Sequence, residues 1–477
     1  MQLRRSVFPL VLALVSASAA LAACTTTAES RAPSPDWRPC AENAQVECAT
    51  IAVPVDWSDP GGPTIDMAVA RKRTQEPGRI GTLIHLPGGP GTSGVDELLN
   101  DDRFSPELHR RFDIVTLDPR GVKRSHPVRC DIGLASARPN LEPDTGARFS
   151  EVISYARDLA DSCRQYTGPL FDHLDGVSVA RDVDALRNAL GENTVSLYGP
   201  SYGTMSGQAY LELFPQRVRA MVLDSVDDHS LNGPEFLASE ARAAGDSFAG
   251  FVSWCDRETS CALHGKDVPA LFDALYERAV RGELSGPDGT ALGPLALSRF
   301  ALGYLEEPEW SRLAADLNEL SNRPPTPVTE PVPQRRGQPV QAPELIACSD
   351  WPSGIRDQAQ WERLWVEQKQ NAGTLRSHFA WVAGSICSGW PPPPNAPHRP
   401  RITDAPTVLL MNSRHDPATP YEWAIGVAAN TPRSVLLTYD GWGHGVYRRN
   451  ACTRGAADRY LIELTAPQPN TVCSMGS

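Results

Sequence analysis

The stretch Gly199-Pro200-Ser201-Tyr202-Gly203 constrains this chain more than any other. Before it runs a short apolar segment carrying Val195, Leu197 and Tyr198, and after it comes Thr204-Met205-Ser206, read as a helix start. A strand that reverses sharply into a helix needs glycine on both sides of the turn, because a side chain there collides with neighbouring backbone. The apex residue, Ser201, is lifted above the sheet edge, and the first amides of the helix point at the same spot. G-x-S-x-G alone is a common string. Set between a strand and a helix, it predicts an activated serine whose partners lie elsewhere in the chain.

Eight apolar segments read as strands: 50–55, 65–71, 81–86, 112–117, 195–198, 219–226, 407–412 and 434–439. The first two form a hairpin through Asp59-Pro60-Gly61-Gly62. Helical spacing over 151–166 and 177–190 separates later strands. Near-continuously apolar strands alternating with helices predict an α/β fold, a mostly parallel eight-stranded sheet covered on both faces. From about residue 228 to 399 the rhythm changes to helix-like spacing (Phe248, Phe251, Trp254; Trp361, Trp365), broken by proline-rich runs at 323–343 and 390–400. Because the strands then resume, this is expected to be a helical cap inserted into the sheet domain. The expected division is core 37–228, cap 229–400 and core 401–477, and 477 residues suit a large catalytic domain with such an insertion.

The strand at 81–86 runs into Pro87-Gly88-Gly89-Pro90-Gly91. Glycines after a strand free backbone N–H groups to point inward, where they stabilise a developing oxyanion. Pro90 has no N–H, so Gly88 or Gly89 must donate; Gly89 is the expected donor, with the N–H of Tyr202 as its counterpart. Two late strands lead into Arg414-His415-Asp416-Pro417 and Gly443-His444-Gly445. A serine hydroxyl attacks only if a base takes its proton, and an imidazole serves near neutral pH when a carboxylate fixes its tautomer. Ser201 as nucleophile, Asp416 as acid and His444 as base follow in the chain order of α/β-hydrolases. Asp440 is the rival acid, but it precedes His444 by only four residues. His85 and His415 read as polar residues at strand ends.

The motifs PGGPG, DPRG, YGPSYGT, SRHDPATP and GWGHG together resemble the proline iminopeptidase-related α/β-hydrolases. Within these the chain is most similar to the secreted tripeptidyl aminopeptidases of actinobacteria and their mycobacterial lipoprotein relatives, over about 50–473. The resemblance implies a serine exopeptidase that removes short peptides, often tripeptides, from free N-termini without a cofactor. It carries the nucleophile to Ser201, the acid to Asp416, the base to His444 and the oxyanion hole to Gly89 and Tyr202. Two departures, Leu86-Pro87 at the start of the glycine loop and Lys123 after Gly121-Val122, fall near the expected rim of the site. An aminopeptidase must also hold the substrate's ammonium at a fixed distance from the serine. Asp227, Asp228, Glu306 and Glu307 are the candidates, although each reads more readily as a solvated surface acid than as an anchor.

Arg4 and Arg5 followed by the apolar run 7–21 form an export signal (1–23), and Leu21-Ala22-Ala23-Cys24 resembles a bacterial lipobox. Cys24 is then the lipidated residue and 24–36 a tether, making the anchor the expected membrane contact of an extracytoplasmic protein. Eleven cysteines less Cys24 leave ten, which pair by proximity as 40–48, 130–163, 255–261, 348–387 and 452–473. No C-x-x-C or His/Cys cluster suggests a metal. A net charge of −12 offers no basic face for nucleic acid. The expected partners are peptide substrates, and the expected state is a monomer.

Overall fold

A computed structural model describes residues 33–101, 103–286, 289–325, 336–351, 353–393 and 397–476. The signal segment, Cys24 and most of the tether lie outside the described residues.

The strands are β1 (Arg38–Pro39), β2 (Glu47–Pro54), β3 (Thr64–Lys72), β4 (Gly81–His85), β5 (Phe112–Leu117), β6 (Arg129–Asp131), β7 (Val195–Pro200), β8 (Val218–Asp224), β9 (Pro339–Gln341), β10 (Val408–His415), β11 (Ser434–Trp442) and β12 (Val472–Ser474). Ten of them form one sheet in the order β1-β2-β3-β5-β4-β7-β8-β10-β11-β12. Pairing is antiparallel from β1 through β5 along that order and parallel from β5 onward. The sheet thus carries the eight expected strands plus two short edges. Two- and three-residue edges have no periodicity to read, and each adjoins a disulfide, Cys40–Cys48 or Cys452–Cys473.

Successive side chains on a strand face opposite ways, and here both faces are buried. Ile84, Val115, Leu197, Met221 and Leu410 enter one core, while their neighbours Leu83, Ile114, Tyr198, Val222 and Leu409 enter the other. This double burial makes the central strands continuous apolar runs and places β7, which carries the serine turn, in mid-sheet.

Helices α1 (Phe149–Thr167), α2 (Gly176–Leu190) and α3 (Gly203–Leu213) belong to the first part of the chain. Helix α2 starts on Asp175, whose side chain accepts from Val177 N–H and Ser178 N–H, and ends at Gly191 with φ 72°. Between β8 and β10 lie α4 (Gly233–Arg257), α5 (Val268–Val280), α6 (Pro294–Glu306), α7 (Trp310–Asn322), α8 (Gln358–Ala372) and α9 (Ala380–Cys387). Phe248, Phe251, Phe272, Leu302 and Leu317 give α4 to α7 a core of their own. A second cluster joins Trp361, Trp365 and Trp381 to Phe149 and Val152 of α1, so a helix expected to cover the sheet also supports the insertion. The proline-rich run 323–343 contains β9, paired with β6, in addition to connecting chain. Two more helices, α10 (Tyr421–Asn430) and α11 (Ala451–Glu463), follow β10 and β11. All five cysteine pairs expected from proximity are disulfides. No described helix is long and apolar enough to cross a membrane.

Candidate active site

The turn after β7 is as tight as its glycines require. A Cβ on Gly199 would stand 2.7 Å from Gly203 O, and one on Gly203 would stand 2.3 Å from Leu86 O. Ser201 has φ 53°, a left-handed conformation that L-residues keep only where the surroundings enforce it. They do: Ser201 N–H donates to Asp224 O at 2.8 Å, and Thr204 N–H donates to Ser201 O at 2.7 Å.

The glycine loop after β4 lies directly against the serine. A Cβ on Gly88 would come within 3.2 Å of Ser201 Cβ. Gly89 (φ 114°) and Tyr202 line the same pocket as Ser201. The Tyr202 hydroxyl donates to Asp350, which also accepts Gly176 N–H at 3.0 Å. Burial pushes the Asp350 carboxyl up to about 7.

β10 and β11 are parallel neighbours, so the loops beyond their ends meet. His444 Nδ1 lies 3.0 Å from Asp416 Oδ1 and 3.1 Å from Oδ2. Asp416 is fixed in turn, because Ala418 N–H and Thr419 N–H each donate to Oδ1 at 2.9 Å and the Thr419 hydroxyl donates to Oδ2 at 3.0 Å. Asp440 is turned to solvent, where Arg414 binds it at 2.6 Å. His85 sits buried against Glu97 at 2.7 Å, and His415 bonds Asp246 at 2.6 Å while stacking on Trp442. Lys123 lies 3.9 Å from Asp96 and does not line the pocket.

Electrostatics couple the pair. Burial alone would raise Asp416, but the charge and hydrogen bond of His444 and the amides of Thr419 and Ala418 hold it below the usual carboxylate range. Burial alone would lower His444; Asp416, then Glu306 and Asp224, overcome that and push it up to about 9.

The four candidate ammonium-binding acids fall into different surroundings. Asp227 is 7% exposed, lines the pocket with Ser201, and is pushed up to about 8 by burial and then by Glu240. Asp228 accepts from the N–H and hydroxyl of Ser230 and lies over Gly426 of α10, away from the pocket lining. Glu306 is half-buried; its backbone carbonyl accepts His444 N–H at 2.7 Å, and burial raises its carboxyl. Glu307 is exposed and pairs with Arg449 at 3.2 Å. A fifth acid, which the motifs do not flag, joins Asp227 in the lining: Glu240 of α4, only 3% exposed and raised well above the usual range by burial. Its Oε2 meets Nδ1 of His378, a buried ring pushed down to about 3. That nitrogen accepts Ala380 N–H at 3.1 Å, so it turns no proton toward Glu240. The signal in the sequence was slight: Glu240 sits among Leu237, Ala241, Ala244 and Phe248, the apolar stripe of α4.

These shifts set a pH dependence of stability. A group raised on folding binds its proton more tightly in the native state, so stability falls as pH rises from its unfolded to its folded value. For His444 that window runs from about 6.5 to about 9, and for Asp227 from about 3.8 to about 8. The melting temperature is expected to fall between pH 6.5 and 9, with a shallower slope in Asp227→Asn. Equal slopes in calorimetric scans of the two proteins would contradict this.

The chain matches the TAP-like protein family over residues 374–473. Serine protease Hip1 of Mycobacterium tuberculosis is 30% identical, the alignment covering 92% of this chain and 90% of that protein. Tripeptidyl aminopeptidase of Streptomyces lividans is 28% identical over 92% of this chain and 86% of the relative. Carboxylesterase B of M. tuberculosis is 30% identical over 93% and 90%. With the α/β-hydrolase strand order, a strained serine turn and a paired aspartate and histidine in one chain, these full-length likenesses place the protein: it belongs to the tripeptidyl-aminopeptidase-like family of α/β-hydrolases and is a serine hydrolase of peptidase type.

Proposed function

We propose that this protein is an exported, lipid-anchored aminopeptidase that releases short peptides, chiefly tripeptides, from free N-termini. Ser201 attacks the scissile carbonyl while His444 takes its proton, and Asp416 orients the imidazole and stabilises the imidazolium. The N–H groups of Gly89 and Tyr202 receive the oxyanion. His444 then protonates the leaving amine, and water hydrolyses the acyl-enzyme by the same steps in reverse.

The observation that carries the peptidase reading over an esterase is the pair of buried acids, Glu240 and Asp227, in the lining beside Ser201. Burying a carboxyl is costly, and ester hydrolysis uses neither. An arriving ammonium gives both a reason: it favours their charged forms and fixes the distance from N-terminus to scissile bond. The name Carboxylesterase B on an equally similar relative makes small esters the alternative substrate class. Five disulfides favour an oxidising compartment, and the basic, apolar and Leu21-to-Cys24 segments favour export with lipidation.

The test is fluorophore release from free and N-blocked peptides of one to four residues. Free tripeptides are expected to be cleaved best, with Glu240→Gln raising KM for them about tenfold or more while leaving small esters nearly unaffected. Equal turnover of blocked and free peptides, or turnover of esters only, would overturn the aminopeptidase reading.

A further inference from the structure

Asp224, Ser225 and Val226, just where β8 ends, are each 0% exposed and do not line the pocket. They nevertheless touch the loops that carry Ser201 and His444 and the strand that leads to Asp416. The backbone carbonyl of Asp224 accepts Ser201 N–H at 2.8 Å. Its carboxylate accepts Val446 N–H on Oδ1 at 2.7 Å, and Tyr447 N–H and the Tyr198 hydroxyl on Oδ2 at 2.9 and 2.6 Å. Ser225 Oγ accepts Gly445 N–H at 2.8 Å. On the side of the acid, Ser225 N–H donates to Met411 O at 2.8 Å and Val226 N–H donates to Asn412 Oδ1 at 2.7 Å, both partners on β10.

We propose that Asp224 is a positioning residue that holds the nucleophile and the base in register, with Ser225 as its accessory. This rests on Ser201 and His444 being that nucleophile and base. Three successive backbone N–H groups, at 445, 446 and 447, follow the histidine, and a buried N–H left without an acceptor is costly. A carboxylate, which only accepts, receives two of them and a hydroxyl at once. Its backbone meanwhile clamps the strained serine turn, so one residue is bonded directly to both catalytic loops. An asparagine there keeps one oxygen and turns an NH₂ toward a donor.

Asp224 also contributes negative charge near the imidazole. Asp416, Glu306 and Asp224 favour the His444 cation, the carboxyls of Asp227 and Glu240 are coupled to it, and the Arg449 guanidinium binds the His444 carbonyl.

The experiment compares full-length wild type, Asp224→Asn and Ser225→Ala on a p-nitrophenyl ester, with active sites titrated to completion by a fluorophosphonate. For Asp224→Asn, kcat per titrated site is expected to fall about 100-fold with KM within about threefold, and the acid limb of kcat/KM is expected to move to lower pH. Ser225→Ala removes one loop bond and no charge, and should lower kcat about tenfold without moving that limb. Wild-type kcat per site and an unmoved limb in Asp224→Asn would overturn the proposal, even if the melting temperature fell. If Asp224→Asn does not fold, Ser225→Ala decides by kcat per site alone. Ser201→Ala serves as the control: activity surviving there would fail the nucleophile assignment rather than the positioning role.

Discussion

Ser201→Ala is expected to lower kcat/KM by about a million-fold, to the detection limit, on every substrate the enzyme turns over. The fold should survive. Alanine keeps the Cβ, so the strain at φ 53° is unchanged, and the backbone bonds to Asp224 and Thr204 involve no side-chain atom. What is lost is the hydroxyl proposed as nucleophile, which lies against the glycine loop. Circular dichroism should match wild type while fluorophosphonate labelling disappears. A variant within tenfold of wild type would mean that the nucleophile is another residue.

Asp416→Asn is expected to lower kcat by about ten-thousand-fold with little change in KM. Ala418 N–H and Thr419 N–H both donate to Oδ1, so the amide oxygen of an asparagine belongs there. The NH₂ then takes the place of Oδ2, 3.1 Å from His444 Nδ1, and as a donor it selects the wrong imidazole tautomer. Loss of the charge also removes the strongest influence raising His444 against burial, so the acid limb should move to lower pH than in wild type. Asp440→Asn is the matched comparison; its carboxylate is bound to Arg414 at the surface, and the variant is expected within about twofold of wild type. A large loss from Asp440→Asn with a small one from Asp416→Asn would reverse the assignment of the acid.

Features written into short stretches were legible in the sequence by itself. The glycines of 199–203 report a turn that only glycine permits, and double burial turns central strands into unbroken apolar runs, so elbow and strand series could be read together. Asp416 and His444 follow because parallel neighbours end at the same sheet edge, so the chain order of their loops is also a spatial order. Cysteine proximity gave the disulfides for the same reason of locality.

The tertiary structure decided what depends on packing between distant segments. The short edges β1 and β12 carry no pattern. Among the acids, Asp227 and Asp228 are adjacent in sequence, yet one lines the pocket and the other binds Ser230. Glu240 joins the lining because α4 packs its apolar stripe toward the same pocket, where burial raises its carboxyl. Asp224 reads as the last residue of an ordinary strand until the backbone amides of 446 and 447 arrive from more than two hundred residues away. A motif records what a residue needs from its chain neighbours; which carboxyls lose their water, and which amides they must then satisfy, is set only when the insertion and the final loops close over the sheet.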